Sequence, residues 1–471
     1  MVGELDLCSE KSNMRTIFVN LFSILAVDNF YIPGGVLDIL VNKKTKDTKL
    51  VFLTSRTLKE KLERFQNETV LIETIESYPP KGLIQKVFHF FYAFLIFTGS
   101  TKILATFGAR ADIPPAGGNR HVWFIKAFIA NTFGRSRFIK RSVTPWLYNL
   151  IFRTRPYRSI FDRHNPDWVM VPGLAFYPDI EIAAEAKRRG IYTLGMVMNW
   201  DHLNKYYIPI HADYLLVQNE PMKREAIVWH AYREEEVSIV GFPQFDMYER
   251  PEDFLFPRET FLQSFGIERA RKIILFISGA AYSKDEPDII RTISQWISEG
   301  VFGVGVKLLV RPYTPARDLE REKEKYQGLE NDPNIAFNWL RRSDNVDNKR
   351  YFMSMLEYSN VIISIFSTTA IEAAIFDKPT ITVGFDGYKK RPYHESIVRL
   401  EDMSHFRNVL DTGSVKVVRS FSDLKESLLT YLEKPESDRE KRKLLVEKMC
   451  YRADGRASER IADFVLKTYG K

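Results

Sequence analysis

Short apolar runs alternate with amphipathic segments along most of the chain. Runs rich in β-branched and aromatic residues occupy Arg15–Val27, Tyr192–Met198, Lys272–Ile277 and Val361–Ile365. Between such runs lie segments with helical periodicity, for example Glu181–Arg189. Runs of this kind are typical of parallel strands that are buried on both faces, and the helices between them provide the crossovers. The pattern therefore predicts an α/β protein with parallel sheets.

The segment Asn360–Gly384 combines a strand, a polar turn, a helix and a second strand. Its Ser-Thr-Thr turn places Ser367 or Thr368 where either can cap the helix. The free N–H groups of the first helical turn, with the positive end of the helix dipole, suit an anion such as a diphosphate. Glu372 lies about one turn further on, within reach of ribose hydroxyls. A capped core helix is the structural alternative; the donor-side candidates here are Ser364, Ser367, Thr368, Thr369 and Glu372.

Two further strand ends carry residues that suit a phosphate. Ser278 and Gly279 follow the run Lys272–Ile277, and Arg311 follows the run Val306–Val310. Ligands of open α/β sheets bind outside the carboxyl ends of the strands. We therefore expect Arg311 to supply a fixed cation and the backbone of Ser278 and Gly279 to supply N–H donors to the same anion. A surface salt bridge is the alternative role for Arg311.

The first half of the chain offers candidates for an acceptor side. Asp201 and His202 directly follow a predicted strand, so either could act as the general base toward an acceptor hydroxyl. The structural alternative is that Asp201 caps the next turn. Paired glycines after the first strand allow the backbone to approach a ligand closely. The acceptor-side candidates are Gly34, Gly35 and Asn204.

These motifs resemble those of the GT-B glycosyltransferases and their relatives. The segment Asn360–Gly384 resembles the GT-B donor motif, in which a Ser/Thr-rich turn faces the nucleotide diphosphate and a helix Glu binds the ribose. Ala212–Asp246 resembles the end of a GT-B first domain. Asp454–Ile461 resembles the closing helix of CDP-glycerol glycerophosphotransferase-like and UDP-GlcNAc 2-epimerase-like surface-polysaccharide proteins. Asp201 lies in a segment similar to their Trp-Asp-Asn-Leu motif, with His202 in place of the usual Asn.

The resemblance implies two Rossmann-like, doubly wound domains that face an interdomain cleft. It assigns residues 1–242 to an amino-terminal acceptor domain, residues 243–435 to a nucleotide-donor domain, and residues 436–471 to helices that pack back across the junction. The implied activity is transfer of a sugar or polyol phosphate from a nucleotide-activated donor to a glycan or lipid-linked acceptor in surface polysaccharide biosynthesis. A UDP-GlcNAc 2-epimerase-like enzyme and a non-catalytic nucleotide- or glycan-binding protein are the alternatives.

The net charge and the motifs of the chain limit the kinds of partner that we expect it to bind. The formal net charge of +8 favours an anionic partner. The chain has no Asp-x-Asp motif, and its two cysteines, Cys8 and Cys450, lack metal-ligand spacing. We therefore predict no metal and no cofactor, with the activated donor bound as a substrate. No RNA-binding signature accompanies the basic residues, which argues against nucleic acid.

The run Val87–Thr98 is intensely apolar but much shorter than a bilayer-spanning helix. It predicts either a core helix or a helix on an anionic membrane surface, beside the basic and aromatic segment Arg135–Arg158. The first residues carry acidic side chains where a signal peptide has a basic region. We therefore expect a cytoplasmic protein, and the second interpretation adds peripheral contact with the inner face of the cell membrane.

Overall fold

A computed structural model describes residues 14–107, 123–279, 283–313, 319–340 and 346–467. Two parallel sheets organise these residues, one of seven strands and one of six. The first sheet has the order β3-β2-β1-β4-β5-β6-β7, and the second has the order β10-β9-β8-β11-β12-β13. Counted from its own first strand, the second sheet has the doubly wound order 3-2-1-4-5-6, and the first sheet extends the same order by a seventh strand. We call the elements around the first sheet the first lobe and those around the second sheet the second lobe.

The strands of the two lobes follow one another along the chain. Those of the first lobe are β1 Arg15–Leu21, β2 Thr48–Thr54, β3 Val70–Thr74, β4 Trp168–Val171, β5 Tyr192–Met196, β6 Tyr214–Val217 and β7 Val237–Ile239. Those of the second lobe are β8 Lys272–Ile277, β9 Val306–Arg311, β10 Ile335–Phe337, β11 Val361–Ser364, β12 Thr380–Val383 and β13 Val415–Val418.

Helices connect the strands and cover both faces of each sheet. Those up to β7 are α1 Ile24–Phe30, α2 Val36–Lys43, α3 Arg56–Leu62, α4 Leu83–Ala93, α5 Gly99–Phe107, α6 Trp123–Thr132, α7 Thr144–Ile151, α8 Arg158–His164, α9 Asp179–Arg188, α10 His202–Lys205 and α11 Glu220–His230. Those after β7 are α12 Pro251–Phe254, α13 Arg258–Ser264, α14 Glu286–Ser298, α15 Leu319–Lys325, α16 Val346–Tyr358, α17 Thr369–Ile375, α18 Ser404–Leu410, α19 Phe421–Glu433, α20 Arg439–Cys450 and α21 Ala457–Leu466.

The central strands are buried on both faces, as their continuous apolar runs predict. Residues Ile17–Val19 of β1 and Ile273–Phe276 of β8 have no exposed surface. The predicted first strand was too long, however, because β1 ends at Leu21 and α1 begins at Ile24. The Ser23 side chain accepts a hydrogen bond from the backbone N–H of Leu25, so this residue caps a helix that apolar content alone does not distinguish from strand.

The run Val87–Thr98 packs largely in the core of the first lobe. Phe88, Tyr92, Leu95 and Ile96 belong to its main hydrophobic cluster. This burial agrees with the core interpretation for most of the run, whereas Val87 is 61% exposed. Within the described ranges, no helix combines the length and the apolar content that crossing a membrane requires.

The last helix returns to the first lobe. Ile461, Ala462 and Val465 of α21 pack in the same cluster as the inner residues of β1 and β2. Polar contacts support this packing, since Lys43 Nζ lies 2.7 Å from Glu459 Oε1 and Arg15 donates to the carbonyl of Leu466.

A 3-10 segment, Pro243–Glu249, connects the lobes and caps the last helix. Asp246 accepts hydrogen bonds from the backbone N–H groups of Ala457 at 3.0 Å and Ser458 at 2.6 Å. These are the first two residues of α21, whose own preceding residue, Arg456, provides no side-chain cap. The connection between the lobes therefore supplies the cap that the helix sequence lacks.

We expect Asp246→Ala to lower the free energy of unfolding by about 1–2 kcal/mol, because two buried N–H groups lose their acceptor. Asp246→Asn retains one side-chain oxygen and should lose less. Urea unfolding of the wild type and both variants measures the difference. Equal stability of wild type and Asp246→Ala would show that the cap contributes nothing.

Candidate active site

A cleft of about 340 Å³ lies where the two sheets face each other. Residues after β8, β9 and β11 line one wall, and residues after β1 and β5 line the other. In both lobes the cleft adjoins the carboxyl ends of the strands. In the second lobe it adjoins the ends of β8 and β11, and the strand order reverses between these two strands. This is the position at which open parallel sheets bind ligands.

The Ser-Thr-Thr turn lies on the second-lobe wall. Ser367, Thr368 and Thr369 all line the cleft. The hydroxyl of Ser367 accepts a hydrogen bond from the N–H of Thr369 at 3.2 Å and lies 3.0 Å from the Thr369 hydroxyl. The preceding residue, Phe366, has a φ of 29°, a conformation that non-glycine residues seldom adopt. The backbone therefore reverses sharply between β11 and α17 and presents three hydroxyl groups beside the cleft.

Glu372 lies beside this turn and is held by the connection between the lobes. Its Oε1 accepts a hydrogen bond of 2.8 Å from the hydroxyl of Tyr248. Burial, with the nearby charge of Glu372, raises the pKa of Tyr248 well above its ordinary value, so the phenol stays protonated as a donor. Glu372 therefore lines the cleft with one oxygen oriented by a fixed partner.

Arg311 is the last residue of β9 and lines the second-lobe wall of the cleft. Its guanidinium stacks over the ring of Phe352, 4.3 Å from the centroid, and donates to Asn348 Oδ1 at 3.2 Å. Both contacts come from α16. These contacts orient the guanidinium at the end of β9 beside the cleft, a position that suits a fixed cation in an anion site.

The expected N–H donors of Ser278 and Gly279 are already bonded. The N–H of Ser278 donates to the carbonyl of Arg311, and the N–H of Gly279 donates to Glu286. Glu286 has no exposed surface and also accepts from Ser278 Oγ, Lys325 Nζ and the Tyr326 hydroxyl. Both predicted residues line the cleft, but Glu286 accepts from the N–H of Gly279 and the Arg311 carbonyl accepts from that of Ser278, so both expected donors are already used.

Ser364 does not reach the cleft. It is the last residue of β11 and is completely buried, and its hydroxyl has no partner within the described part of the chain. The reason is strand alternation, since its side chain points into the sheet packing three residues before the turn. The donor-side assignment of Ser364 is therefore corrected to an interior position.

Residues of the first lobe that were not among the predicted candidates complete the opposite wall. Asp28 and Asn29 lie on α1, and Asn199 and Trp200 follow β5. Lys349 of α16 donates to the backbone carbonyl of Asp28, so the two walls touch at this point. Asp28 was not among the candidates, although it directly follows the run Arg15–Val27, so the strand-end argument that selected Asp201 could have found it.

Asp201 and His202 lie behind this wall rather than in it. Asp201 pairs with Lys205, four residues later on the same turn. Burial alone would raise the pKa of Asp201, but the Lys205 ammonium, helped by His202 and His405, holds it well below its ordinary value. Burial lowers the pKa of His202, whose ring packs between Phe176 and Tyr206. A carboxylate with a depressed pKa is a weak base, so the predicted base role of Asp201 is not supported by this arrangement.

Asn204 joins the two lobes and does not line the cleft. Its amide donates to Glu225 Oε1 at 2.8 Å, and its Oδ1 accepts from Ser404 Oγ of the second lobe at 2.6 Å. Its backbone carbonyl accepts from Thr98 Oγ1. All hydrogen-bonding groups of the side chain are therefore engaged in holding α10, α11 and α18 together, which corrects the acceptor-side assignment.

Gly34 and Gly35 also lie away from the main cleft. Gly34 has a φ of 70° and lines a separate cavity beside Arg250 and Arg350. A Cβ on Gly35 would approach the carbonyl oxygen of Ile32 to 2.8 Å. These glycines are needed for a tight turn before α2 rather than for ligand approach in the cleft.

Comparison with known proteins agrees with the resemblance drawn from the motifs. The model of the family "CDP-Glycerol:Poly(glycerophosphate) glycerophosphotransferase" matches residues 334–467, which include the Ser-Thr-Thr turn, Glu372 and α21. A search of curated proteins found no match. The family match supports the suspected relationship over the carboxy-terminal part of the chain.

Solved structures match almost the whole chain at low identity. A UDP-GlcNAc 2-epimerase from Neisseria meningitidis bound to UDP-GlcNAc is 13% identical, with a TM-score of 0.54 over 97% of this chain and 100% of that one. A glycosyltransferase from Rickettsia africae is 12% identical, with a TM-score of 0.51 over 97% of this chain and 100% of that one. A putative UDP-N-acetylglucosamine 2-epimerase from Listeria monocytogenes is 12% identical, with a TM-score of 0.52 and coverage of 95% and 94%. The chain therefore has the GT-B fold, with two Rossmann-like lobes around a cleft.

The buried carboxyl of Glu225 yields a prediction about pH. Burial raises its pKa to about 8, although the amide of Asn204 partly offsets this shift. The unfolded chain releases this proton near its ordinary pKa of about 4.3. The folded state therefore holds a proton that the unfolded state has lost, and stability falls as pH rises from about 4.3 to about 8.

We expect Glu225→Gln to remove the part of the stability loss at rising pH that Glu225 causes, because Gln resembles the protonated acid and cannot ionise. At pH 8 the variant should exceed the wild type in unfolding free energy by at least about 1 kcal/mol, and the gap should close toward pH 5. Urea unfolding at both pH values measures it, with the exposed Glu234→Gln as the control. A wild-type–variant difference that does not change with pH would contradict the assigned pKa.

Proposed function

We propose that this protein is a GT-B transferase that moves a sugar or polyol phosphate from a nucleotide-activated donor to an acceptor in surface polymer biosynthesis. The observation that carries the proposal is the position of Arg311 and the Ser367–Thr369 turn on one wall of the interlobe cleft. The glycerophosphotransferase family match over residues 334–467 supports this assignment, because it includes the turn.

The donor diphosphate would lie against the second-lobe wall. Arg311 would pair with its charge, and the hydroxyl groups of the turn would donate to its oxygens. Glu372, oriented by Tyr248, would accept hydrogen bonds from the ribose. These roles use the side chains that line the cleft and do not require the N–H groups of Ser278 and Gly279.

In the transfer step, an acceptor hydroxyl attacks the activated centre of the donor. For a sugar donor, a bond forms between the acceptor oxygen and the anomeric carbon while the bond from that carbon to the diphosphate breaks. For a polyol phosphate donor, the new bond is to phosphorus and a nucleoside monophosphate leaves. In both cases negative charge develops on the leaving phosphate, where a fixed guanidinium stabilises the transition state.

The acceptor proton requires a base on the first-lobe wall. Asp28 is the acidic residue among the lining residues of that lobe, and we assign it this role in place of Asp201. The proposal includes no metal and no cofactor, because Arg311 and the turn meet the leaving-group charge and the sequence lacks an Asp-x-Asp motif. It also includes a glycan or lipid-linked acceptor, no nucleic acid, and a cytoplasmic location at the inner face of the membrane.

We expect Arg311→Met to weaken binding of a nucleotide-activated donor roughly 10- to 100-fold, because a charge-assisted contact to phosphate is lost while an apolar side chain still packs beside Phe352. Calorimetric titration with CDP-glycerol and UDP-GlcNAc measures the change. Arg291→Met, which removes an exposed arginine of α14 outside the cleft, is the matched control.

Unchanged donor affinity in Arg311→Met would remove this side chain from the site. The epimerase alternative makes a different prediction from the transferase proposal. An epimerase consumes UDP-GlcNAc with no acceptor present, whereas the proposed transferase releases nucleotide only when an acceptor hydroxyl is supplied.

We expect Asp28→Asn to lower turnover by about two to four orders of magnitude with little change in donor affinity, since the amide cannot accept the proton. Asp201→Asn, in contrast, should change turnover less than about tenfold and act mainly on stability through the ion pair with Lys205. Nucleotide release in the presence of acceptor, compared between the two variants, distinguishes the assignments. A large loss confined to Asp201→Asn would restore the original candidate.

A further inference from the structure

Helix α6 buries its lysine and exposes its aromatic residues. Trp123, Phe124 and Phe128 are 47%, 58% and 60% exposed, whereas Lys126 is only 4% exposed. The Lys126 ammonium lies 4.8 Å from the centroid of the Phe94 ring. A surface helix of a water-soluble domain normally has the opposite arrangement, with its apolar stripe facing the core. The exposed face of α6 is therefore suited to a medium other than water.

Neighbouring helices expose large apolar side chains as well. Leu83 and Ile84 of α4 are 79% and 72% exposed, and Trp146 of α7 is 63% exposed. Helix α4 packs against α7. Phe133, directly after α6, lies 5.5 Å from Phe91 of α4 between ring centroids. The exposed residues thus belong to helices that pack together, and Phe138, between α6 and α7, is 68% exposed as well. We call Leu83, Ile84, Phe124, Phe128, Phe138 and Trp146 the aromatic surface.

Basic residues dominate the sequence around this surface, although Arg141, Arg155 and Arg158 pair with Glu236, Glu185 and Asp162. Between Glu76 and Asp162 the sequence contains thirteen Lys and Arg residues and one acidic residue, Asp112, which lies outside the described residues. Lys81 and Lys86 flank the exposed residues of α4, and both are exposed. Neither forms an ion pair within the described part of the chain. Exposed cations next to exposed aromatic and aliphatic side chains form an amphipathic surface with positive charge.

We propose that the aromatic surface docks onto an anionic lipid bilayer, with α4, α6 and α7 resting on the interface. Tryptophan and phenylalanine would enter the boundary between headgroups and acyl chains, and Lys81 and Lys86 would contact anionic headgroups. The length of α6, ten residues, fits a helix that lies on the membrane and is too short to cross it.

Two other occupants fit the surface less well. A symmetric contact with a second copy would bring the same positive charges face to face without acidic partners. Nucleic acid would match the charge but offers no apolar layer to receive Leu83, Ile84 and Phe124. A bilayer with anionic lipid is complementary to both the charge and the apolar side chains.

Vesicle sedimentation of the full chain tests the proposal. Wild type should sediment with vesicles of phosphatidylcholine mixed with phosphatidylglycerol, bind pure phosphatidylcholine much more weakly, and lose binding as salt rises. The variant Phe124→Ser/Phe128→Ser/Trp146→Ser should bind the mixed vesicles at least about tenfold more weakly. Lys81→Gln/Lys86→Gln should bind about tenfold more weakly at low salt and differ less from wild type at high salt.

The matched control is Val304→Ser/Leu444→Ser, which removes two exposed apolar side chains of the second lobe. This variant should sediment as the wild type does. All substituted side chains are exposed, so circular dichroism and thermal unfolding should match the wild type for every variant.

Equal vesicle binding by wild type and the aromatic-surface variant would overturn the proposal. So would a wild type that fails to bind mixed vesicles, or one that light scattering shows to be a dimer that the three serine substitutions dissociate. Donor affinity, measured on the same variants without lipid, should stay at the wild-type value. Vesicle sedimentation therefore tests the lipid proposal, and donor affinity without lipid tests the transferase proposal separately.

Discussion

The connection between the lobes, Pro243–Glu249, is the constraint on which the rest of the arrangement depends. At one point Asp246 accepts two N–H groups from the start of α21, which holds the end of the chain against the first lobe. Two residues later, Tyr248 donates to Glu372 in the cleft of the second lobe. One short segment therefore couples the closing helix to a side chain in the candidate donor site, and a change in the angle between the lobes must disturb one of these bonds.

Buried carboxylates fix the walls that the connection brings together. Glu286 accepts hydrogen bonds from Ser278 and Gly279 after β8 and from Lys325 at the end of α15, so it ties these two elements together. Asn204 performs a similar role between the lobes, where it bonds Glu225 on one side and Ser404 on the other. Arg311 stacks on Phe352 and donates a hydrogen bond to Asn348, both on α16. The cation that faces the cleft is thus preorganised, which is what electrostatic catalysis requires.

Much of this organisation could be predicted from the sequence. Strand β8 was predicted with the observed bounds, because a continuous apolar run between turn residues has few other structures. The sequence also predicted that the Ser-Thr-Thr turn, Glu372 and Arg311 lie close together, because the carboxyl ends of parallel strands share one edge of a sheet. The GT-B fold followed from the motifs of the carboxy-terminal half.

The remaining assignments depended on partners distant in sequence. Asn204 binds Ser404 two hundred residues away, and no local pattern indicates this contact. The N–H of Gly279 is occupied by Glu286, which a strand-end argument does not consider. Asp201 is different, because its partner Lys205 lies four residues further on and its spacing signals an ion pair.

The central claim is that the cleft holds a nucleotide diphosphate against Arg311 and the Ser367–Thr369 turn. A crystal structure of the protein with a bound nucleotide-activated donor tests it most directly. We predict a phosphate oxygen within hydrogen-bonding distance of both the Arg311 guanidinium and a hydroxyl group of the turn, with the ribose beside Glu372. A donor bound with its phosphates elsewhere, for example in the cavity beside Gly34 and Arg250, would contradict the account.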